Sequence, residues 1–198
     1  MAKVRSPAVC GTFYSNDKTE LLREVQSYLI SPVFGDLPKA LIVPHAGYCY
    51  SGNVAGKGYE QCASGNKRHC KIVILGPSHR VYLKDCALPK HDSFQTPFGE
   101  VKVDQVLCSR LVEHLLAEYN DDAHELEHSI EVQLPFIQAV FEDIEIVPVV
   151  VGDCSSDKVR LLLQFLLEQI AHENDAVPLL VVSSDLSHYH SYEEASHK

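Results

Sequence analysis

The sequence predicts an α/β fold in which a mainly parallel central sheet carries helices on both faces. Four apolar runs are typical of strands, and they are continuously apolar, as strands buried on both faces of a parallel sheet are. Segments of helical periodicity separate these runs, and alternating strands and helices of this kind form parallel sheets. The runs are ALIVP (40–44), KIVILG (71–76), EIVPVVVG (145–152) and PLLVVSS (178–184).

The first β-α-β unit is predicted within the first 76 residues. A helix preceding it has apolar residues at helical spacing, and Ser15 or Asn16 can cap its N-terminus. The strand at 40–44 is followed by a helix of small residues over 51–63, for which Ser51 is the expected cap. The next apolar run then completes the unit.

Residues 85–103 are turn-rich and extended, which indicates short strands. Asp104 is the expected cap of the helix that follows them. The segment 128–141 is also helical in pattern, and Pro135 should kink that helix or end it. The strand at 145–152 comes next.

An amphipathic helix over 155–172 and the strand at 178–184 complete the predicted order of elements. Ser155 or Ser156 can cap this helix. A chain of 198 residues can bury one substantial core. We therefore expect a single α/β domain over residues 1–198.

The composition excludes several classes of protein. The formal net charge is −10, and no cluster of Lys or Arg offsets it locally, so we expect no nucleic-acid partner. No apolar run approaches the length of a bilayer-spanning helix and no secretory leader opens the sequence, so we expect no membrane association and a cytoplasmic location. The seven cysteines include no C-x-x-C pair, which argues against a disulfide framework or a structural zinc site.

Histidines and an aspartate follow three of the predicted strands. His45 follows the first strand, His79 the second, and Asp185 and His188 the last. Parallel strands point their C-terminal ends to one edge of the sheet, so these side chains can meet in a crevice there. Imidazoles and carboxylates bind iron, zinc, copper or nickel, and the spacing does not distinguish between these metals.

The stretch ELEHSIEVQ adds Glu127, His128 and Glu131 as further candidates. His128 and Glu131 stand at i and i+3, on one face of a helix. They could orient the metal ligands or act in acid-base chemistry without touching the metal, or they could belong to an ordinary charged first turn. The sequence contains no G-x-S-x-G, G-x-G-x-x-G or Walker A pattern, so neither a serine nucleophile of that type nor a nucleotide cofactor is implied.

Six segments in order resemble the Memo-like family, whose bacterial branch is called AmmeMemoRadiSam system protein B. They are AVCGTFYS, PHAGYCYSG, ILGPSHR, TPFGEVKVD, EHSIEVQLPF and VVSSDLSHYH, and they extend over essentially the whole chain. The resemblance implies a fold similar to that of the class III extradiol ring-cleaving dioxygenases, which hold non-haem Fe(II) with two histidines and a carboxylate.

The resemblance also implies roles for particular residues. His45 and His79 match the two histidine ligands of the metal, and His188 matches the acid-base histidine, with Asp185 beside it. In Memo-like proteins the third ligand is a cysteine late in the chain, beyond the position of Lys198. We therefore expect the chain to be truncated at its C-terminal end and to bind metal weakly, since catalytic sites typically supply three protein ligands.

We expect metal-dependent redox chemistry on a small substrate, with iron or copper as the metal and zinc as a further candidate. Two alternatives stay open at this point. One is a non-catalytic binding or signalling protein that recognises a partner protein through a vestigial site. The other is a zinc-dependent hydrolase, since the same ligand types suit zinc equally well.

Overall fold

The computed structural model describes residues 2–31, 37–62, 70–171, 177–185 and 187–197. These residues form nine strands and seven α-helices. The strands are Val4–Arg5 (β1), Ala40–Val43 (β2), Cys70–Pro77 (β3), Cys86–Leu88 (β4), Ser93–Thr96 (β5), Gly99–Val103 (β6), Glu118–Tyr119 (β7), Ile144–Val151 (β8) and Val177–Ser183 (β9). The helices are Lys18–Tyr28 (α1), Tyr48–Tyr59 (α2), Gln105–Glu113 (α3), Asp122–Glu125 (α4), Leu134–Val140 (α5), Ser156–Ala171 (α6) and Tyr192–Ser196 (α7).

The strands form one mixed, mostly parallel sheet, which confirms the predicted α/β fold. Its order is β1-β5-β6-β8-β3-β9-β2, with β4 pairing to β8 and β7 to β4. The β5–β6 and β4–β8 pairs are antiparallel, and the other described pairs are parallel. Every residue of β3 from Cys70 to Gly76 is buried, so both faces of the sheet are covered there.

The last strand in the sequence, β9, lies between β2 and β3. Val43 pairs with Ser183, and Leu75 pairs with Val182, so the three strands end at almost the same level. All three are parallel. The residues that follow them therefore emerge side by side at one edge of the sheet.

The predicted helices are present as α1, α2, α3, α5 and α6, some of their ends differ, and α4 was not predicted. Asp17 caps α1, in place of the predicted Ser15 or Asn16, because its carboxylate accepts hydrogen bonds from the backbone N–H groups of Thr19 and Glu20, each at 2.8 Å. The helix predicted over 155–172 is α6, and its last predicted residue lies outside the described part of the chain.

Helix α2 begins at Tyr48, before the predicted cap at Ser51. The backbone N–H of Tyr48 donates to the Phe13 carbonyl at 2.8 Å, and its hydroxyl donates to the Val132 carbonyl at 2.7 Å. These contacts come from distant parts of the chain, so local sequence preferences could not indicate them. The final residue of the predicted 51–63 helix is not among the described residues.

Pro135 neither kinks a helix nor ends one. It lies in the first turn of α5, where a missing backbone N–H costs nothing because that group has no partner within the helix. A short 3-10 helix, Glu131–Gln133, leads into α5. Among the described helices, none has both the length and the apolar character needed to span a bilayer.

Candidate metal centre

Three of the predicted residues each stand two positions beyond the end of a strand. His45 follows β2, His79 follows β3 and Asp185 follows β9. Because β9 lies between the other two strands, Asp185 emerges between the two histidines. The predicted meeting of His45 and His79 in one place is confirmed, since their ring centroids are 5.1 Å apart.

Hydrogen bonds fix the ring of His45. Its Nδ1 lies 3.0 Å from the hydroxyl oxygen of Ser183, and that hydroxyl donates its single hydrogen to the Ser129 carbonyl at 2.5 Å. Ser183 must therefore accept from His45, which places the ring proton on Nδ1 and leaves a lone pair on Nε2. Gln133 supports the arrangement by donating to the Ser183 oxygen at 2.9 Å.

His79 is fixed by the buried carboxylate of Glu127. Its Nδ1 lies 2.9 Å from one carboxylate oxygen, and its backbone N–H donates to the other at 2.7 Å. Burial raises the pKa of Glu127, but hydrogen bonds from His79 and Ser129 outweigh that effect and leave the pKa lowered. An ionised carboxylate only accepts, so Nδ1 of His79 carries a proton, and Nε2 faces the Asp185 carboxylate at 3.2 Å.

His128 completes a cluster of three histidines. Its ring centroid is 4.5 Å from that of His79 and 5.5 Å from that of His45. One ligand atom from each of the three residues lies within 4.8 Å of the others. Two nitrogens on one ion at about 2.1 Å each can be at most roughly 4.2 Å apart, so small side-chain shifts would bring all three onto one metal.

The nitrogen atoms of the cluster suit a cation. Nε2 of His45 and Nδ1 of His128 are buried and lack a partner with hydrogen-bond geometry. Burial lowers the pKa of His45, and it lowers the pKa of His128 to about 4, so both rings are neutral at pH 7 and keep a lone pair for a metal. These three histidines could therefore hold a divalent metal ion.

Asp185 lies against the Nε2 atoms of both His45 and His79. Its two carboxylate oxygens lie 2.9 Å from Nε2 of His45 and 3.2 Å from Nε2 of His79. The first distance is short, although the contact lacks hydrogen-bond geometry. Half of the Asp185 side chain, 51 %, is exposed, so the carboxylate can turn away or share an ion with the two rings.

A cavity of about 560 Å³ opens onto the cluster. His45, Asp185 and His188 line it, so the structure brings the predicted acid-base histidine to the cavity and not into the group of three. Burial raises the pKa of Asp185, but the hydrogen bond to His79 and the nearby histidines, His188 included, outweigh it and lower the pKa. The rest of the lining is largely apolar: Pro44, Ala46, Tyr50, Ser51, Val54, Ser184, Ser187 and Tyr189.

The chain matches a known protein family over almost its whole length. The model of the family described as "Memo-like protein" matches residues 5–198. The chain belongs to the Memo-like family. Its curated relatives are named MEMO1 family proteins, and the predicted resemblance is confirmed.

The relatives of this Memo-like protein come from organisms that are only distantly related to one another. A MEMO1 family protein of Aquifex aeolicus is 39 % identical over 198 residues, which cover 99 % of this chain and 72 % of the relative. One of Aeropyrum pernix is 36 % identical over 209 residues, with coverage of 99 % and 74 %. One of Schizosaccharomyces pombe is 30 % identical over 194 residues, with coverage of 94 % and 61 %.

Glu131 has a different environment from the one predicted in this Memo-like protein. Its buried carboxylate pairs with Arg5 and accepts from the Tyr14 hydroxyl at 2.7 Å and from the backbone N–H groups of Ala8 and Val9. It therefore anchors the N-terminal segment, away from the histidines. The carboxylate that orients a histidine is that of Glu127, a candidate from the same stretch whose contact with His79 the sequence did not indicate.

His128 is closer to the centre than the sequence analysis proposed. It lies in the segment between α4 and the 3-10 helix, so it follows no strand. The segment is held over the strand ends because the Ser129 hydroxyl donates to the Pro77 carbonyl at 2.9 Å and Gln133 donates to the Pro44 carbonyl at 3.0 Å. The only sequence signal was a histidine flanked by acidic residues.

Proposed function

We propose that this Memo-like protein binds a divalent redox metal, iron or copper, at His45 and His79 and carries out redox chemistry on a small substrate. The observation that carries the proposal is that both rings have Nδ1 engaged by a buried oxygen and Nε2 directed at one point. Metal-binding histidines typically have this arrangement. Asp185 and His128 are the two candidates for a third ligand.

The donor set is the basis for the choice of metal. Two imidazoles with one carboxylate are typical of non-haem iron sites, and His45, His79 and Asp185 offer that set. Three imidazoles, with His128 in place of the carboxylate, suit copper or zinc. A bound iron or copper ion would supply electron transfer to the substrate. The cysteine that the family resemblance implies beyond Lys198 remains a predicted further ligand.

The chain's own residues would prepare the site for this reaction. Ser183 and Glu127 hold the rings in one tautomer. The apolar walls of the cavity would accept a small substrate and exclude water from part of its surface. His188, at the cavity wall, would carry a proton to or from that substrate, because an imidazole nitrogen can accept a proton and donate it again.

Elemental analysis and metal titration test the proposal. The protein is purified without added metal, its metal content is measured, and Fe(II), Cu(II) and Zn(II) are titrated anaerobically into the stripped protein. We expect iron or copper in the purified protein and a loss of affinity of about tenfold or more in His45→Ala and His79→Ala. Zinc as the resident metal would favour the hydrolase. The absence of metal binding would favour a non-catalytic binding protein.

A further inference from the structure

Two cysteine thiols meet near the C-terminal end of β8. Cys86 lies in β4 and is fully buried, with 0 % exposure. Cys154 lies between β8 and α6 and is partly exposed. Their sulfur atoms are 3.8 Å apart, which is close to van der Waals contact.

The backbone around these thiols is held closely. Cys86 pairs with Val151 in the antiparallel β4–β8 ladder. Beyond that pair, the N–H of Gly152 donates to the Asp85 carbonyl at 3.0 Å, and the N–H of Asp153 donates to the Leu83 carbonyl at 2.8 Å. The proximity of the two sulfurs therefore follows from the strand pairing and from the turn after it.

The turn at Gly152 packs tightly against the segment that precedes β4, so the two cysteines cannot easily move apart. A Cβ added to Gly152 would lie 2.5 Å from the Leu83 carbonyl oxygen, so the two loops are already in contact there. A disulfide requires a sulfur–sulfur distance of about 2.05 Å, and side-chain rotation can supply most of the remaining approach. Such a bond would join residues 68 positions apart in sequence.

We propose that Cys86 and Cys154 form a reversible disulfide when the protein meets a hydroperoxide. The sulfur of Cys154 attacks one peroxide oxygen, the O–O bond breaks, and the other oxygen leaves as water, which gives a sulfenic acid at Cys154. The sulfur of Cys86 then attacks the Cys154 sulfur, and the sulfenic oxygen leaves as a second water. Two thiols and one hydrogen peroxide thus give one disulfide and two waters.

The order of the two steps follows from exposure. Cys154 is the accessible partner and meets the peroxide first. Cys86 is fully buried, so peroxide does not reach it, whereas the Cys154 sulfur is 3.8 Å away; its thiol proton leaves with the sulfenic oxygen as water. The bond would also affect the candidate site, because Gly152 and Asp185 line one cavity of about 440 Å³.

Peroxide treatment followed by peptide mapping tests the disulfide. The metal-free protein is treated with a small excess of hydrogen peroxide, blocked with N-ethylmaleimide and mapped by mass spectrometry. We expect a mass loss of about 2 Da before blocking, one peptide that links Cys86 to Cys154, and its disappearance with dithiothreitol. The melting temperature should rise by about 5 °C, because the bond restrains a long loop of the unfolded chain.

Three variants complete the test. Cys154→Ser should abolish the crosslink, while Cys49→Ser, which removes an exposed cysteine elsewhere, should leave it unchanged. Cys86→Ser should leave a sulfenic acid at Cys154 that dimedone traps. Oxidation of Cys154 without a link to Cys86, or links between other cysteines only, would overturn the proposal. If Cys86→Ser does not fold, the peptide map of the unaltered protein decides on its own.

Discussion

Ser183 and Glu127 set which ring nitrogen carries the proton in the candidate ligands His45 and His79. The hydroxyl of Ser183 has already donated its hydrogen to Ser129, so it can only accept from His45. The carboxylate of Glu127 accepts from the His79 ring and from three backbone N–H groups. Neither oxygen needs to touch a metal to affect its binding, since the tautomer and orientation of the ring determine where the lone pair points.

Replacing Ser183 with alanine should therefore weaken metal binding. The variant leaves Nδ1 of His45 without its acceptor, so the ring can rotate or change tautomer. We expect the dissociation constant for Zn(II) or Fe(II) to rise by about tenfold to a hundredfold in a calorimetric titration. Ser184→Ala removes a hydroxyl from the neighbouring residue and should change the affinity little. Equal affinities for both variants would show that Ser183 does not orient the ring.

His128 can be tested against a second buried histidine of similar pKa. Burial lowers the pKa of both His128 and His124 to about 4, but the His124 ring bonds to the Ala87 carbonyl, far from the cluster. His128→Ala should weaken metal binding by about tenfold or more, the scale of even indirect ligand effects. His124→Gln should leave it unchanged. If both variants bind alike, His128 is not a ligand.

At the scale of elements, the sequence predicted which segments form strands, but it did not predict which strands lie side by side in the sheet. Continuous apolar runs indicated buried parallel strands, and the structure has parallel strands there as β2, β3, β8 and β9. The predicted burial on both faces holds for β3, whereas β2 is an edge strand in which Ala40 and Ile42 are exposed. The position of β9 between β2 and β3 could not be predicted, because strand order depends on long-range pairing and leaves no local pattern. That position is what brings Asp185 between His45 and His79.

The position of His128 beside His45 and His79 was not predicted, for a related reason. The pattern of 128–141 indicated one helix, whereas the structure has a 3-10 helix followed by α5, with His128 in the segment before them. A prediction based on strand ends identifies only the residues that directly follow a strand. It cannot find a residue on a connecting segment that tertiary hydrogen bonds hold over the sheet edge.

Gly76 is where β3 contacts the segment that carries His128. A Cβ at this position would lie 2.5 Å from the Ser129 hydroxyl oxygen and 2.9 Å from its Cβ. Gly76→Ala should push that segment away, lower the free energy of unfolding by about 1–3 kcal/mol and weaken metal binding. Urea unfolding and metal titration measure the two effects.

Gly56→Ala is the matched control for Gly76→Ala. Its Cβ would lie 2.5 Å from the backbone oxygen of Tyr28, so it should also destabilise the protein, but at the contact between α1 and α2. We expect similar losses of stability for the two variants and a loss of metal affinity for Gly76→Ala alone. A parallel loss of affinity in both would mean that destabilisation alone explains it.

At the scale of the whole molecule, buried neutral histidines make stability depend on pH. The pKa of His124 is about 4 in the folded chain and near 6.5 in an unfolded one. The unfolded chain therefore takes up a proton first, and folding loses stability as the pH falls from about 6.5 to about 4. The loss is about 3 kcal/mol for one such residue. His128 acts in the same direction, whereas the raised pKa of His79 acts in the opposite one.

Urea unfolding of the metal-free protein at pH 7, 5.5 and 4.5 measures this dependence. His124→Gln keeps an N–H donor for the Ala87 carbonyl and removes the titration, so its stability should fall less steeply over the same range. The difference in slope between the two proteins isolates His124 from the other titrating groups. Superimposable pH profiles would show that His124 is not held neutral in the folded state.

The histidine cluster is the central feature of the account, and X-ray absorption spectroscopy of the metal-loaded protein tests it most directly. With one equivalent of Fe(II) or Zn(II), we expect at least two imidazole ligands at about 2.0–2.2 Å from the metal, from His45 and His79. Each single alanine variant of these residues should lose one imidazole from the spectrum. A metal surrounded by oxygen ligands alone, or spectra identical in the unaltered protein and both variants, would contradict the account.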